Sequence, residues 1–254
     1  MLTPWILAAA LWNDGGISLG GSPQLLRGHP TVRMAKELIR MRIDENQVRV
    51  DCTFWMENRG KACDVRMGFP DEAYGADDPE EEGDSKVPPG SLENFRSTVN
   101  GREVPTEIVR GKSEGGHAYW HAKVVRFAGG KTTVVRDTYT TTTGGSMTSH
   151  GTFMRAASYI VHTGSSWHGN IGETKIVVEF AIPGMGKNLK TVKASSIKKD
   201  AHGGLGPIPR STVAYSGIGA PTVKGTMLTF IRKNWRPTAK DDLELHFDDH
   251  GGGS

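Results

Sequence analysis

The sequence predicts a mainly β protein built as two antiparallel sandwich-like units, with one elongated β-sandwich as the alternative architecture. Three observations carry this reading. Thirty-three Gly and 13 Pro among 254 residues break the chain into short runs and argue against a helical bundle. Val48, Val50, Cys52, Phe54 and Met56 alternate strictly, the period of a strand with one buried face. Asn100-Gly101, set between Phe95–Val99 and Arg102–Val104, supplies the two positive φ values of a type I′ hairpin turn.

At the start of the chain, Trp5 to Trp12 form a short apolar run with Ala8-Ala9-Ala10 inside it, followed by the polar Asn13-Asp14-Gly15-Gly16. Residues 1–16 therefore read as a signal peptide-like segment and linker, and predict export to the periplasm or cell surface. No Lys or Arg precedes Arg27, so the usual positive region is missing; a buried N-terminal strand or a misplaced start is the other reading. No apolar run approaches the roughly 20 residues that cross a bilayer as a helix, so the chain is read as not transmembrane.

The first sandwich-like unit is expected over 31–140. In Val32 to Ile43, Met34, Leu38 and Met41 sit at helical spacing while Ile39, Met41 and Ile43 alternate, and the segment is read as a strand. After Val48–Met56 the pattern resumes at Cys63, Val65, Met67 and Phe69, as for a second strand facing the same core. With Glu57-Asn58 as a two-residue loop, Cys52 lies opposite Cys63. The pair is then a disulfide in an oxidising compartment or two buried thiols. Residues 71–84 carry eight acidic residues and no basic one, and read as a solvated loop. Segments 118–127 and 131–139 read as paired strands around Ala128-Gly129-Gly130.

Thr140 to Thr143 with Gly144-Gly145-Ser146 marks the boundary to a second unit over 152–248. There Phe153–His162, Ile176–Ile182, Lys224–Lys233 and Leu243–Phe247 read as strands, and 249–254 as a flexible tail. Eleven Lys or Arg against the single acid Asp200 lie between Met185 and Lys240. This basic 185–240 stretch is complementary to the acidic 71–84 stretch, which allows self-association through the two. The net charge of +3 calls for no nucleic-acid partner, and aromatic stacking positions are sparse in the basic stretch.

Several of these strings resemble an uncharacterised family of exported bacterial β proteins, domain-of-unknown-function family 4424. They are Val32-Arg-Met34-x-x-Glu37, the run Val48 to Asn58-Arg-Gly60, Met67-Gly-Phe69-Pro70, the Val99-Asn-Gly101 hairpin, and Thr163-Gly164-x-x-Trp167-x-Gly169-x-Ile171. The resemblance spans about Val32 to Phe247. It implies an exported protein of packed β layers, a strand over Val32–Ile43, and no functional residue to carry over.

Several common signatures of chemistry are missing. Neither Gly111-Lys112-Ser113 nor Gly130-Lys131-Thr132 completes a phosphate loop, and there is no H-E-x-x-H or C-x-x-C. No cofactor is implied. His117 and His121 have the spacing of a helical metal pair, but on a strand they stand about 13 Å apart. Asp77, Asp78, Glu80, Glu81, Glu82 and Asp84 offer oxygen ligands without the spacing of a calcium loop. The turn His162-Thr-Gly-Ser-Ser-Trp167-His168-Gly169 is the candidate ligand site. There an exposed Trp167 would stack on a sugar or aromatic ring, with His162 and His168 at its polar edge. The alternative is a Trp167 folded back to cap the core.

The function expected is a non-catalytic exported binding or structural module of the bacterial cell envelope with a protein or glycan partner. The alternatives are a hydrolase or glycan-active enzyme with a pocket between the two β units, and a self-assembling surface subunit.

Overall fold

The computed structural model describes residues 17–27, 31–74, 91–110, 117–147, 153–199 and 204–248. Within them the strands are β1 (Ile17–Gly21), β2 (Gln24–Arg27), β3 (Val32–Ile43), β4 (Gln47–Asn58), β5 (Cys63–Tyr74), β6 (Glu93–Val99), β7 (Arg102–Val104), β8 (Glu107–Arg110) and β9 (His117–Phe127). They continue with β10 (Thr132–Thr142), β11 (Gly144–Met147), β12 (Phe153–Ile160), β13 (Ile171–Phe180), β14 (Lys190–Lys193), β15 (Thr212–Ser216), β16 (Thr222–Lys224), β17 (Met227–Trp235) and β18 (Leu243–Asp248).

The strands form two sheets that face one another, confirming the mainly β, sandwich-like class. One runs β14-β15-β18-β12-β1-β5-β9-β8, with β11 beside β12 and β2 beside β5; the other runs β16-β17-β13-β3-β4-β10-β6-β7. The stretches 31–140 and 152–248 each contribute to both sheets. They join where β13 lies parallel to β3 and where β1 lies between β12 and β5. This strand order is that of the elongated single sandwich. The sheets are mixed rather than purely antiparallel, since β1–β12, β3–β13 and β14–β15 are parallel pairs. Gly20 and Gly21 of β1 allow the join, because a side-chain carbon would collide with Tyr139 at one and Ile160 at the other.

Alternation places one apolar row of each strand inside. Val48, Val50, Cys52, Phe54 and Met56 of β4 face Val65, Met67 and Phe69 of β5 across one core, which extends to Phe230 and Phe247 in the later half. Two expected hairpins are corrected here. β4 pairs with β3 and β10 while β5 pairs with β1, β2 and β9, so the chain crosses between sheets after Asn58. It crosses again between β9 and β10. Facing strands of two sheets satisfy the same inward alternation as hairpin partners, so the pattern alone could not separate the two cases.

Asn58 ties the two crossings together. It is fully buried; its amide nitrogen donates to the carbonyls of Lys61 at 2.8 Å and Phe127 at 3.2 Å, and its backbone N–H donates to Lys131. Its side-chain oxygen accepts from Thr31 Oγ1 and from the Gly60 N–H.

Two more expectations change. Asp71–Tyr74, expected at the head of a solvated loop, continues β5, and Asp71 is fully buried; residues 75–84 lie outside the described residues, as do 1–16 and 249–254. The threonine tract closes β10 and leads directly into β11, so it is strand rather than a break. The β6–β7 hairpin is as expected, with Asn100 at φ 49° and Gly101 at φ 79°.

The terminal strands of the sheets, β14, β8, β16 and β7, have only three or four residues each and carry Lys190, Lys193, Glu107, Arg110, Lys224, Arg102 and Glu103. Short charged edges resist pairing with another chain. The outer face of the second sheet bears cross-strand ion pairs: Glu173 with Lys36 and Lys233, Arg42 with Glu179, Asp51 with Arg136. Among the described residues no helix is long and apolar enough to cross a membrane.

Candidate functional site

The turn between β12 and β13 begins as a 3₁₀ turn over His162–Ser166. Asp242 anchors its start: Oδ1 accepts the backbone N–H groups of Val161 and His162 at 2.8 and 3.0 Å, and Oδ2 lies 2.7 Å from His162 Nδ1. Gly169, at φ 68°, lets the chain turn back into β13. Ser166 Oγ donates to the Thr163 carbonyl and accepts the N–H of Leu25, so the turn is laced to β2.

Beneath the turn a line of polar contacts enters the core. Thr163 Oγ1 donates to the Ser22 carbonyl, Ser22 Oγ donates to Glu37 Oε2 at 2.7 Å, and Thr174 Oγ1 donates to Glu37 Oε1 at 2.6 Å. Trp235 Nε1 donates in turn to Thr174 Oγ1 at 2.8 Å. Glu37 is completely buried, and burial pushes its carboxyl up to about 7 against the opposing hydrogen bonds from Thr174 and Ser22. It can therefore change charge near neutrality, while both of its oxygens are already engaged by protein hydroxyls.

The three predicted ligand residues are separated in role. Trp167 is 2% exposed, donates its indole N–H to the Pro23 carbonyl at 2.6 Å and meets Phe127 edge-on at 6.3 Å. It caps the core and offers no stacking platform. His162 is half-buried against Asp242; His168 is exposed, with its backbone N–H on the Val32 carbonyl.

A second polar cluster lies inside the other end of the sandwich. Asp71 accepts the N–H and hydroxyl of Ser91 and sits 3.0 Å from His121 Nε2, whose ring stacks on Phe95 at 3.9 Å. Lys123 Nζ donates to Asp137 Oδ1 at 2.5 Å with both side chains at most 1% exposed, a cross-sheet ion pair roofed by Phe95. His117 and His121 lie on one strand, as expected, and among the described residues no three His, Cys, Asp or Glu are grouped to hold a metal ion. The acidic residues considered for calcium lie outside the described residues.

Cys52 and Cys63 are free thiols. They belong to different sheets, opposite Asp137 and Phe127 respectively, so the hairpin that would have faced them is absent. Cys52 receives the Tyr159 hydroxyl at 3.6 Å, and burial raises its thiol well above the ordinary range.

Sequence reading passed over Ser22, Thr174, Asp242, Lys123 and Asp137, and met Glu37 only within a family-like string. The one legible signal was a charged residue on the inner phase of an apolar strand. At Glu37 a bulge between Met34 and Lys36 hid that phase.

A crystal structure of a protein described as a "putative nutrient binding protein" from Legionella pneumophila shares the fold. It has a TM-score of 0.59 and 20% identity, over 92% of this chain and 72% of that one. More distant are the M1 zinc metallopeptidase of Deinococcus radiodurans (TM-score 0.35, 12% identity, 86% of this chain and 42% of that one) and yeast leukotriene A4 hydrolase with bestatin (0.45, 10%, 88% and 30%). This chain spans less than half the length of either enzyme. No protein-family model and no curated protein matches the chain.

Proposed function

We propose that this chain is a non-catalytic binding or structural module of an exported bacterial cell-envelope protein, recognising its partner or solute through loops. The observation that carries the reading is the internal use of its reactive side chains. Glu37, Asp71, Lys123 and Asp137 are at most 4% exposed and are bonded to other residues of the chain. A general acid, base or nucleophile must reach its substrate. These groups instead tie the chain's own strands and loops to one another, and the Lys123–Asp137 pair fastens one sheet to the other. The fold likeness to the Legionella protein supports the binding half of the proposal, and the signal peptide-like start with the family 4424 resemblance supports export.

Recognition then falls to the rim of the 162–170 turn, where His168, Asn170 and Arg236 are exposed and His162 is half-exposed. Thermal denaturation with separate panels of amino acids, oligosaccharides and phosphate tests this. The expected result is a rise of a few degrees with one class, lost in His168→Ala or Arg236→Ala, and no turnover. Hydrolysis of an ester or glycoside that vanishes in His162→Ala would replace the proposal with the enzyme reading. Salt-sensitive oligomers in light scattering would shift it to self-assembly.

A further inference from the structure

We infer that the sandwich contains an internal hydration site, in which one ordered water bridges Asp137 Oδ2 and Ser97 Oγ beside the Lys123 ammonium. Four buried side-chain oxygens among the described residues meet no hydrogen-bond partner, and three of them, Ser97 Oγ, Asp137 Oδ2 and Thr141 Oγ1, lie on β6 and β10. Ser97 and Asp137 are directly opposed in the β6–β10 ladder, and both point inward at 1% and 0% exposure. Opposed side chains on one face have Cβ atoms about 5 Å apart, which suits two oxygens joined through one water. They do not bond to each other.

The chemistry narrows the occupant. Asp137 Oδ1 is taken by Lys123 Nζ at 2.5 Å, while Oδ2, equally buried, needs a donor of its own. A cation is disfavoured because the Lys123 ammonium already sits on the same carboxylate. Asp137, Ser97 and Lys123 are at most 4% exposed, and such a closed site favours the smallest neutral donor. Water donates to Oδ2 and to Ser97 Oγ and accepts one of the remaining Lys123 N–H bonds, giving it the two to four partners that buried waters have. The site lies apart from the loop rim proposed for recognition. Its role is to complete the Lys123–Asp137 pair so that a charge can be kept between the sheets.

A crystal structure of the whole chain at about 1.5 Å resolution or better tests the site directly. The expected map holds one isolated peak of water occupancy within hydrogen-bond distance of both Asp137 Oδ2 and Ser97 Oγ. A direct Asp137–Ser97 hydrogen bond, an empty site, or density heavier or larger than water would overturn the inference. Ser97→Val provides the second arm: the peak should vanish while Lys123 stays on Asp137. A peak that persists unchanged in that variant removes Ser97 from the site and overturns the assignment.

Discussion

Glu37 is the residue where a local pattern and the environment conflict most. Its carboxyl is raised to about 7 in the folded chain against an ordinary 4.5, so the native state binds that proton more tightly than the unfolded state. Its contribution to stability is fully present below pH 4.5 and is lost as pH rises through 7, by about 3 kcal/mol in all. Urea denaturation at pH 5 and pH 8 should show a smaller loss of stability in Glu37→Gln than in the parent; identical slopes would remove Glu37 from the account. Trp167 allows an opposite test. As a core cap, Trp167→Ala should cost about 3–5 kcal/mol, whereas the exposed His168→Ala should stay within about 0.5 kcal/mol, both read from denaturation midpoints. Neither fate was legible in the residues alone, because a tryptophan in a Gly-Ser turn has the same sequence whether it turns outward or inward. What decides is the Pro23 carbonyl, supplied from 144 positions away.

At the level of elements, strand identity was largely legible and strand partnership was not. The alternation in β4 and the Asn100-Gly101 turn announced themselves because both depend only on neighbours in the chain. The mixed signal over Val32–Ile43 has a physical cause: the bulge between Met34 and Lys36 switches the inward phase from Val32 and Met34 to Glu37, Ile39, Met41 and Ile43. β1, β2, β8, β11, β14, β15 and β16 escaped notice because they are short and lie near glycines or charges, and acquire strand structure from the strands they pair with. The crossings after β4 and β9 depend on Asn58, a polar residue that alternation treats as punctuation. Asn58→Ala should destabilise the chain by about 2–4 kcal/mol in equilibrium unfolding, since several buried backbone groups lose their partner together. An Asn58→Ala protein as stable as the parent would show that the crossings are held by their strands alone.

The molecule as a whole is organised around two joins, β3 with β13 and β1 with β12, that unite the earlier and later strands in each sheet. Composition and turns predicted layers of β structure, but long-range parallel pairing leaves no local mark. Because β3 and β13 pair along eight positions and β1 ties β12 to β5, chains cut at Thr143 should give fragments that fail to fold separately and regain β structure when mixed. Circular dichroism of each fragment and of the mixture checks this; two independently folded pieces would count against it. The parallel join also sets a timetable. Thr174 reaches Glu37 across 137 positions, so at synthesis rates of about 5–20 residues per second β3 waits on the order of ten seconds for β13. During that interval β3 presents an unpaired edge that the finished sandwich never exposes. The hazard for this protein therefore belongs to its infancy: a holdase that shields the nascent strand, or delivery across a membrane before folding, would protect it better than any further stabilisation of the mature sheets.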